Sequence, residues 1–198
     1  MPDHDAHDIE SPSAKLIDDA VLAIAADIDL LLLDVDGVLT DGSIVLDDDG
    51  RECKRFHVKD GLGLRIWIKL GLEIGLVTGR AGGALRHRAR ELGITRVLQG
   101  VSTKAPAVDG LCRDLGIAPA KVAYIGDDWP DLPAMALVGL PMAVADASPE
   151  VRKAAKWVSN LPGGHGAVRE AVEFLVMAKG LTSQAMAAAG LLPPGPLG

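Results

Sequence analysis

The sequence predicts an α/β fold in which a doubly wound, mostly parallel sheet carries helices on both faces. Two observations predict it. Short apolar runs recur between glycine-punctuated turns, at residues 30–35, 74–77, 122–125 and 142–145, and they are continuous rather than alternating. A strand with no polar face suits a parallel sheet covered on both sides. Between these runs lie segments of helical period. Val108, Leu111, Cys112 and Leu115 fall at i, i+3, i+4 and i+7, and Val168, Val172, Leu175 and Val176 at i, i+4, i+7 and i+8. Strands alternating with one-faced helices form an open sheet whose ligand crevice lies at the carboxyl ends of the strands.

One segment departs from the alternation. Runs 43–46 and 51–56 flank Asp47, Asp48, Asp49 and Gly50, an acidic turn ending in glycine, and read as a β-hairpin (about 43–56) inserted directly after the first strand. Residues 1–14 are rich in Asp, His and Pro and lack the apolar stretch of a secretory signal, so a disordered leader is expected. Residues 180–198, rich in Ala, Gly and Pro, read as a disordered tail, which leaves 15–179 as one domain. A chain of 198 residues, 48% of them hydrophobic, can bury a core of that size. The formal charge of −7, without a cluster of Lys and Arg, argues against nucleic acid or an anionic membrane as partner. No apolar run is long enough to cross a bilayer. Cys53 and Cys112 form no CxxC pair, which suggests a reducing, cytoplasmic setting.

The chemistry concentrates at strand ends. Asp34 and Asp36 follow the first apolar run two residues apart, so on an extended chain their side chains address one volume. Asp127 ends the 122–125 run in the same way. Carboxylates brought together repel, and a divalent cation such as Mg2+, which takes hard oxygen ligands, relieves the repulsion and can bridge to a phosphate. Gly37 permits a tight turn. Val77-Thr78-Gly79-Arg80 ends the second strand with a hydroxyl and backbone amides suited to phosphate oxygens. Lys104 opens the following helical segment, where an ammonium would neutralise phosphoryl charge. Asp41, Asp47, Asp48 and Asp49 read instead as turn formers.

DVDGVLTDG, VTGR, Lys104 and GDDWPD, in this order and each beside an expected strand, resemble the four signature motifs of the haloacid dehalogenase superfamily, whose core is Rossmann-like. The resemblance implies that Asp34 attacks phosphorus and forms an aspartyl-phosphate. It also implies that Asp36 protonates the leaving alkoxide and then deprotonates water, and that Thr78 and Lys104 serve catalysis. Mg2+ would be held by Asp34, the Asp36 backbone and Asp127, with Asp128 orienting water and Asp131 supporting the loop. Only the hairpin follows the first strand, and 23 positions separate Lys104 from Asp127, so no cap domain fits. An open site needs cover, and a neighbouring subunit's hairpin is the simplest source.

FHVKDGLGLRIW, the TGR of the second motif and GGHGAVRE extend the resemblance to the capless 3-deoxy-D-manno-octulosonate 8-phosphate phosphatase family of lipopolysaccharide precursor synthesis. That family is usually tetrameric, so a homotetramer assembled through the hairpin is implied. Residues implied to hold the sugar-acid phosphate are Asp36, His57, Val58, Lys59, Asp60, Gly61, Arg65, Arg80, Arg88 and Lys104. A substrate bearing both carboxylate and phosphate needs local cations on an acidic protein. Lys59 and His165 stand where this family commonly has arginine, and GGHG suits a loop folding over a ligand. An N-acylneuraminate or deaminoneuraminate 9-phosphate is the alternative substrate. A phospho-accepting signalling domain is a more distant one, disfavoured by Asp36, which an acceptor module lacks.

Overall fold

The computed structural model describes residues 18–191, so the leader expected over 1–14 and the end of the expected tail lie outside the described residues. In chain order the elements are α1 (Asp19–Ala26), β1 (Leu30–Leu33), β2 (Val45–Leu46), β3 (Glu52–Cys53), α2 (Val58–Lys69), β4 (Glu73–Val77), α3 (Gly83–Leu92), β5 (Arg96–Leu98), α4 (Lys104–Leu115), β6 (Val122–Gly126), α5 (Leu132–Met135), β7 (Leu140–Ala143), α6 (Pro149–Ala154), β8 (Trp157–Val158), α7 (Ala167–Ala178) and α8 (Thr182–Ala188). β1 consists of four consecutive leucines, all fully buried, because the sheet is covered on both faces.

Six strands form one sheet in the order β5-β4-β1-β6-β7-β8, every neighbouring pair parallel. The chain winds outward from β1 through β4 to β5, then crosses back to β6 and winds the other way. α1, α2 and α7 pack together on one side, and α4, α5 and α6 neighbour one another on the other. The reversal of winding opens a crevice at the carboxyl ends of β1 and β6, where open α/β sheets bind ligands. Two strands carry no continuous apolar run. β5 and β8 are two or three residues long, half-buried, and lie at the sheet edges, where one flank meets solvent.

β2 and β3 pair antiparallel, Val45 opposite Cys53 and Leu46 opposite Glu52, as the hairpin expected after β1. Its turn is closed by Asp47, whose side chain accepts the Asp49 amide at 3.0 Å and the Arg51 amide at 2.8 Å. No other described element lies between β1 and α2, and α4, a short 3-10 turn and β6 fill the interval from Lys104 to Asp127, so the described residues form no cap domain at either place. The expected disordered tail is corrected over part of its length. α8 forms there because Thr182-Ser-Gln-Ala-Met-Ala-Ala is rich in helix-favouring alanine and packs Ala185 against the core.

Candidate active site

β1 delivers Asp34 into the crevice with its backbone amide bonded to the Ile125 carbonyl of β6 at 3.0 Å. β6 delivers Asp127 beside it. Carboxylate oxygens of Asp34, Asp127 and Asp131 lie within 4.8 Å of one another. Gly37, at φ +96°, makes this approach possible, since a Cβ there would stand 2.1 Å from an Asp127 carboxylate oxygen. Lys104, the first residue of α4, is buried and places Nζ 2.9 Å from Asp34 and 2.6 Å from Asp131.

The three acids do different work. Asp131 is saturated: one oxygen accepts from Lys104 and from the Tyr124 hydroxyl at 2.6 Å, and the other from the Asp127 and Asp128 amides at 3.1 and 3.3 Å. It buttresses the loop after β6 and leaves Asp34 and Asp127 as the carboxylates with capacity for a cation. Burial first, then repulsion from Asp131, pushes Asp34 up to about 6. Burial, then Asp34 and Asp131, pushes Asp127 up to about 8. Burial pulls Lys104 down, but Asp34 and Asp131 outweigh it and hold the ammonium above the ordinary lysine range. Two buried, mutually repelling carboxylates are a donor set that fits a hard divalent cation such as Mg2+.

A stability prediction follows from these shifts. A carboxyl whose folded pKa is raised binds protons in the folded state that the unfolded chain has released. Its stabilising contribution is therefore present at low pH and lost as pH rises through the folded pKa. The loss begins near the ordinary value of 3.8 and is complete at about 6 for Asp34 and about 8 for Asp127, so between pH 6 and pH 8 it is Asp127 that carries the change. The metal-free protein is expected to melt at a lower temperature at pH 8 than at pH 6, and Mg2+ to raise the melting temperature more at pH 8. Thermal denaturation at both pH values with Mg2+ or a chelator checks this. Equal gains at the two pH values would contradict it.

Asp36 is half-buried beside this cluster, one carboxylate oxygen 3.4 Å from the Thr78 hydroxyl at the end of β4. Thr78 Oγ1 also accepts the Arg80 amide at 3.1 Å, which shapes the loop after the strand. Asp128 is exposed next to Asp127 and forms with Asp131 a reciprocal cap of the turn over 129–131. Arg80 is exposed and held by Glu52 of β3 at 3.2 Å. Arg88 lies 5.8 Å over the Phe56 ring and lines a small hollow with His57 and Gly61.

The remaining residues singled out for substrate stand differently. Asp60 is buried, and its two oxygens accept the Gly166 amide at 3.2 Å and the Arg169 amide at 2.8 Å, so it caps the start of α7 from across the fold. Asp60 was expected among the substrate ligands; its described hydrogen bonds run instead to the start of α7. Val58, Lys59 and Arg65 are exposed on α2, and no described hydrogen bond or ion pair joins them to the Asp34 cluster. GGHG does not project as a free loop. Gly164 donates to the Val38 carbonyl at 2.9 Å, and a Cβ on Gly163 would stand 1.7 Å from the Gly37 carbonyl oxygen, so backbone packs on backbone behind the turn after Asp34. His165 turns back on this loop, its Nδ1 2.7 Å from the Gly163 carbonyl.

Sequence reasoning missed Tyr124, Glu52 and Lys54. Tyr124 looked like one more apolar residue of a buried strand. Glu52 and Lys54, two apart on the strand after the hairpin turn, share one face. Their alternation beside Phe56 was the available signal.

A family model described as haloacid dehalogenase-like hydrolase matches residues 93–169. The chain belongs to the haloacid dehalogenase-like hydrolases, a membership that its relatives carry over most of its length. It is 46% identical over 165 residues to the 3-deoxy-D-manno-octulosonate 8-phosphate phosphatase of Escherichia coli strain K12, covering 83% of this chain and 88% of that protein. The crystal structure of 3-deoxy-D-manno-octulosonate 8-phosphate phosphatase from Yersinia pestis matches with a TM-score of 0.82 at 44% identity, over 83% of this chain and 89% of that one. The phosphatase of the same name from Moraxella catarrhalis, solved with magnesium ion, phosphate ion and KDO, matches with a TM-score of 0.83 at 37% identity, over 85% and 97% of the two chains.

Proposed function

We propose that the protein is a Mg2+-dependent phosphatase that hydrolyses 3-deoxy-D-manno-octulosonate 8-phosphate to the sugar acid and phosphate, a step of lipopolysaccharide precursor synthesis. The observation that carries the reading is the meeting of Asp34, Asp127 and Lys104 at the crevice where the sheet reverses its winding. Asp34 Oδ attacks phosphorus. The bond from phosphorus to the sugar oxygen breaks, its electron pair goes to that oxygen, and Asp36 supplies the proton. Asp36, now a carboxylate, takes a proton from the water that attacks the phosphoryl-Asp34, which restores the Asp34 carboxylate. Thr78 and Lys104 hold the phosphoryl oxygens. Mg2+, when bound by Asp34, Asp127 and the Asp36 backbone carbonyl with Asp128 beside them, supplies charge neutralisation for the phosphoryl group.

Arg80 and Arg88, with Lys59 and Arg65 on α2, supply cations for the substrate carboxylate on a chain of net charge −7, and His57 lines the hollow beside Arg88. Ile44, Val45 and Leu46 of the hairpin are about half or more exposed, as is Val58 at the start of α2. An apolar patch of this kind supports self-association through the hairpin as a homotetramer, with cover for the open crevice. Sedimentation velocity yielding only monomer would remove that part. No described helix is long and apolar enough to cross a membrane. The two unpaired cysteines suit a cytoplasmic enzyme.

Parallel assays of phosphate release test the reaction and the substrate together. With Mg2+, the eight-carbon ulosonate 8-phosphate is expected to be preferred by at least about tenfold in kcat/KM over N-acylneuraminate 9-phosphate. A tenfold preference for the nine-carbon compound would overturn the substrate assignment.

A further inference from the structure

Lys54 has no place in the reaction just described, yet its side chain is only 4% exposed and its ammonium pairs with Asp36 Oδ1 and, at 2.9 Å, with Glu52 Oε1. A buried ammonium is costly unless it is paired. Glu52 and Lys54 stand two residues apart on the extended chain leaving the hairpin, so they face the crevice together. Glu52 also holds Arg80, which ties the hairpin to the loop after β4. The two Asp36 oxygens are thereby distinguished. Oδ1 meets Lys54, and Oδ2 lies 3.4 Å from the Thr78 hydroxyl on the phosphoryl side.

We propose that Lys54 is a positioning residue for the phosphatase reaction: by occupying Oδ1 it fixes the Asp36 carboxyl so that Oδ2 carries the proton. The proton passes from Oδ2 to the sugar oxygen as that oxygen receives the electron pair of its bond to phosphorus, and a proton from water returns to the same atom. A hairpin residue thus governs orientation of the acid, and Glu52 aligns Lys54 and Arg80 together. The inference rests on the phosphatase reading above.

The test separates orientation of the acid from general damage. An alkyl leaving group needs a proton at departure, whereas p-nitrophenolate leaves without one, so loss of Asp36 alignment lowers kcat/KM far more for the sugar phosphate. In full-length protein with Mg2+, Lys54→Met is expected to lower the ratio of kcat/KM for 3-deoxy-D-manno-octulosonate 8-phosphate over p-nitrophenyl phosphate by about 30-fold or more. Lys54→Arg, which keeps a cation at the same place, is expected to recover about tenfold of that ratio. Circular dichroism and melting temperature report whether each variant folds. An unchanged ratio in folded Lys54→Met, or a ratio that rises, overturns the inference while leaving the phosphatase reading intact. Wild-type protein that hydrolyses neither ester removes both.

Discussion

Asp34→Asn is expected to abolish turnover, a loss of at least about 10^4-fold in kcat, while the protein keeps its fold. The amide has nearly the shape of the carboxylate, and β1, which carries it, is held by four buried leucines and by pairing on both sides. What disappears is the nucleophile. A neutral amide oxygen is a poor nucleophile toward phosphorus, and of its two carboxylate neighbours Asp131 is bonded through both oxygens to Lys104, Tyr124 and backbone amides, while Asp127 follows β6 and is assigned to the cation. Steady-state assay with circular dichroism as control checks the expectation. Turnover within tenfold of wild type would remove Asp34 from its assigned role.

Asp36→Asn separates the two halves of the reaction. With p-nitrophenyl phosphate, whose leaving group needs no acid, Asp34 is expected to be phosphorylated at a rate close to wild type. Hydrolysis of the intermediate is expected to slow by about 10^2- to 10^4-fold, because the asparagine accepts no proton from water. Quench-flow should show a burst of about one p-nitrophenolate per active site followed by slow turnover. A linear time course at wild-type rate would contradict the role. The contact between Asp36 and Lys54 gives this variant a second consequence, since the ammonium then loses one of its two carboxylate partners.

The meeting of the candidate site residues was legible because they are tied to strand ends. Asp34 and Asp127 each follow a continuous apolar run, and parallel sheets align those ends by register: Leu30 to Leu33 of β1 pair in order with Val122 to Ile125 of β6. Once both runs are strands of one sheet, the acids that follow them meet. Lys104 was legible only through its company. What stayed hidden depends on side-chain pairing across long loops. Lys54 lies 18 positions from Asp36, and nothing local in KRF announces that its ammonium turns inward. The capping contact of Asp60 was hidden for a related reason. Its partner, the start of α7, lies more than 100 positions away, and a carboxylate capping a distant helix leaves no mark in its own neighbourhood. α8 was hidden by composition, since alanine and glycine next to a proline-rich end read as disorder until the alanines find a core to pack on.

The hairpin links these observations. One arm of the hairpin exposes Ile44, Val45 and Leu46, and the other pairs Glu52 with Arg80 and Lys54 with Asp36. The hairpin thus exposes apolar side chains on one side and contacts Asp36 and Arg80 on the other.

The most direct measurement is to locate the phosphoryl group itself. Asp36→Asn protein mixed with Mg2+ and p-nitrophenyl phosphate, quenched in acid, digested and read by mass spectrometry, is expected to carry one phosphoryl group on the peptide containing Asp34, and none when a chelator is present. A phosphoryl group on any other residue, or no phosphorylated peptide from protein that still turns substrate over, would contradict the account.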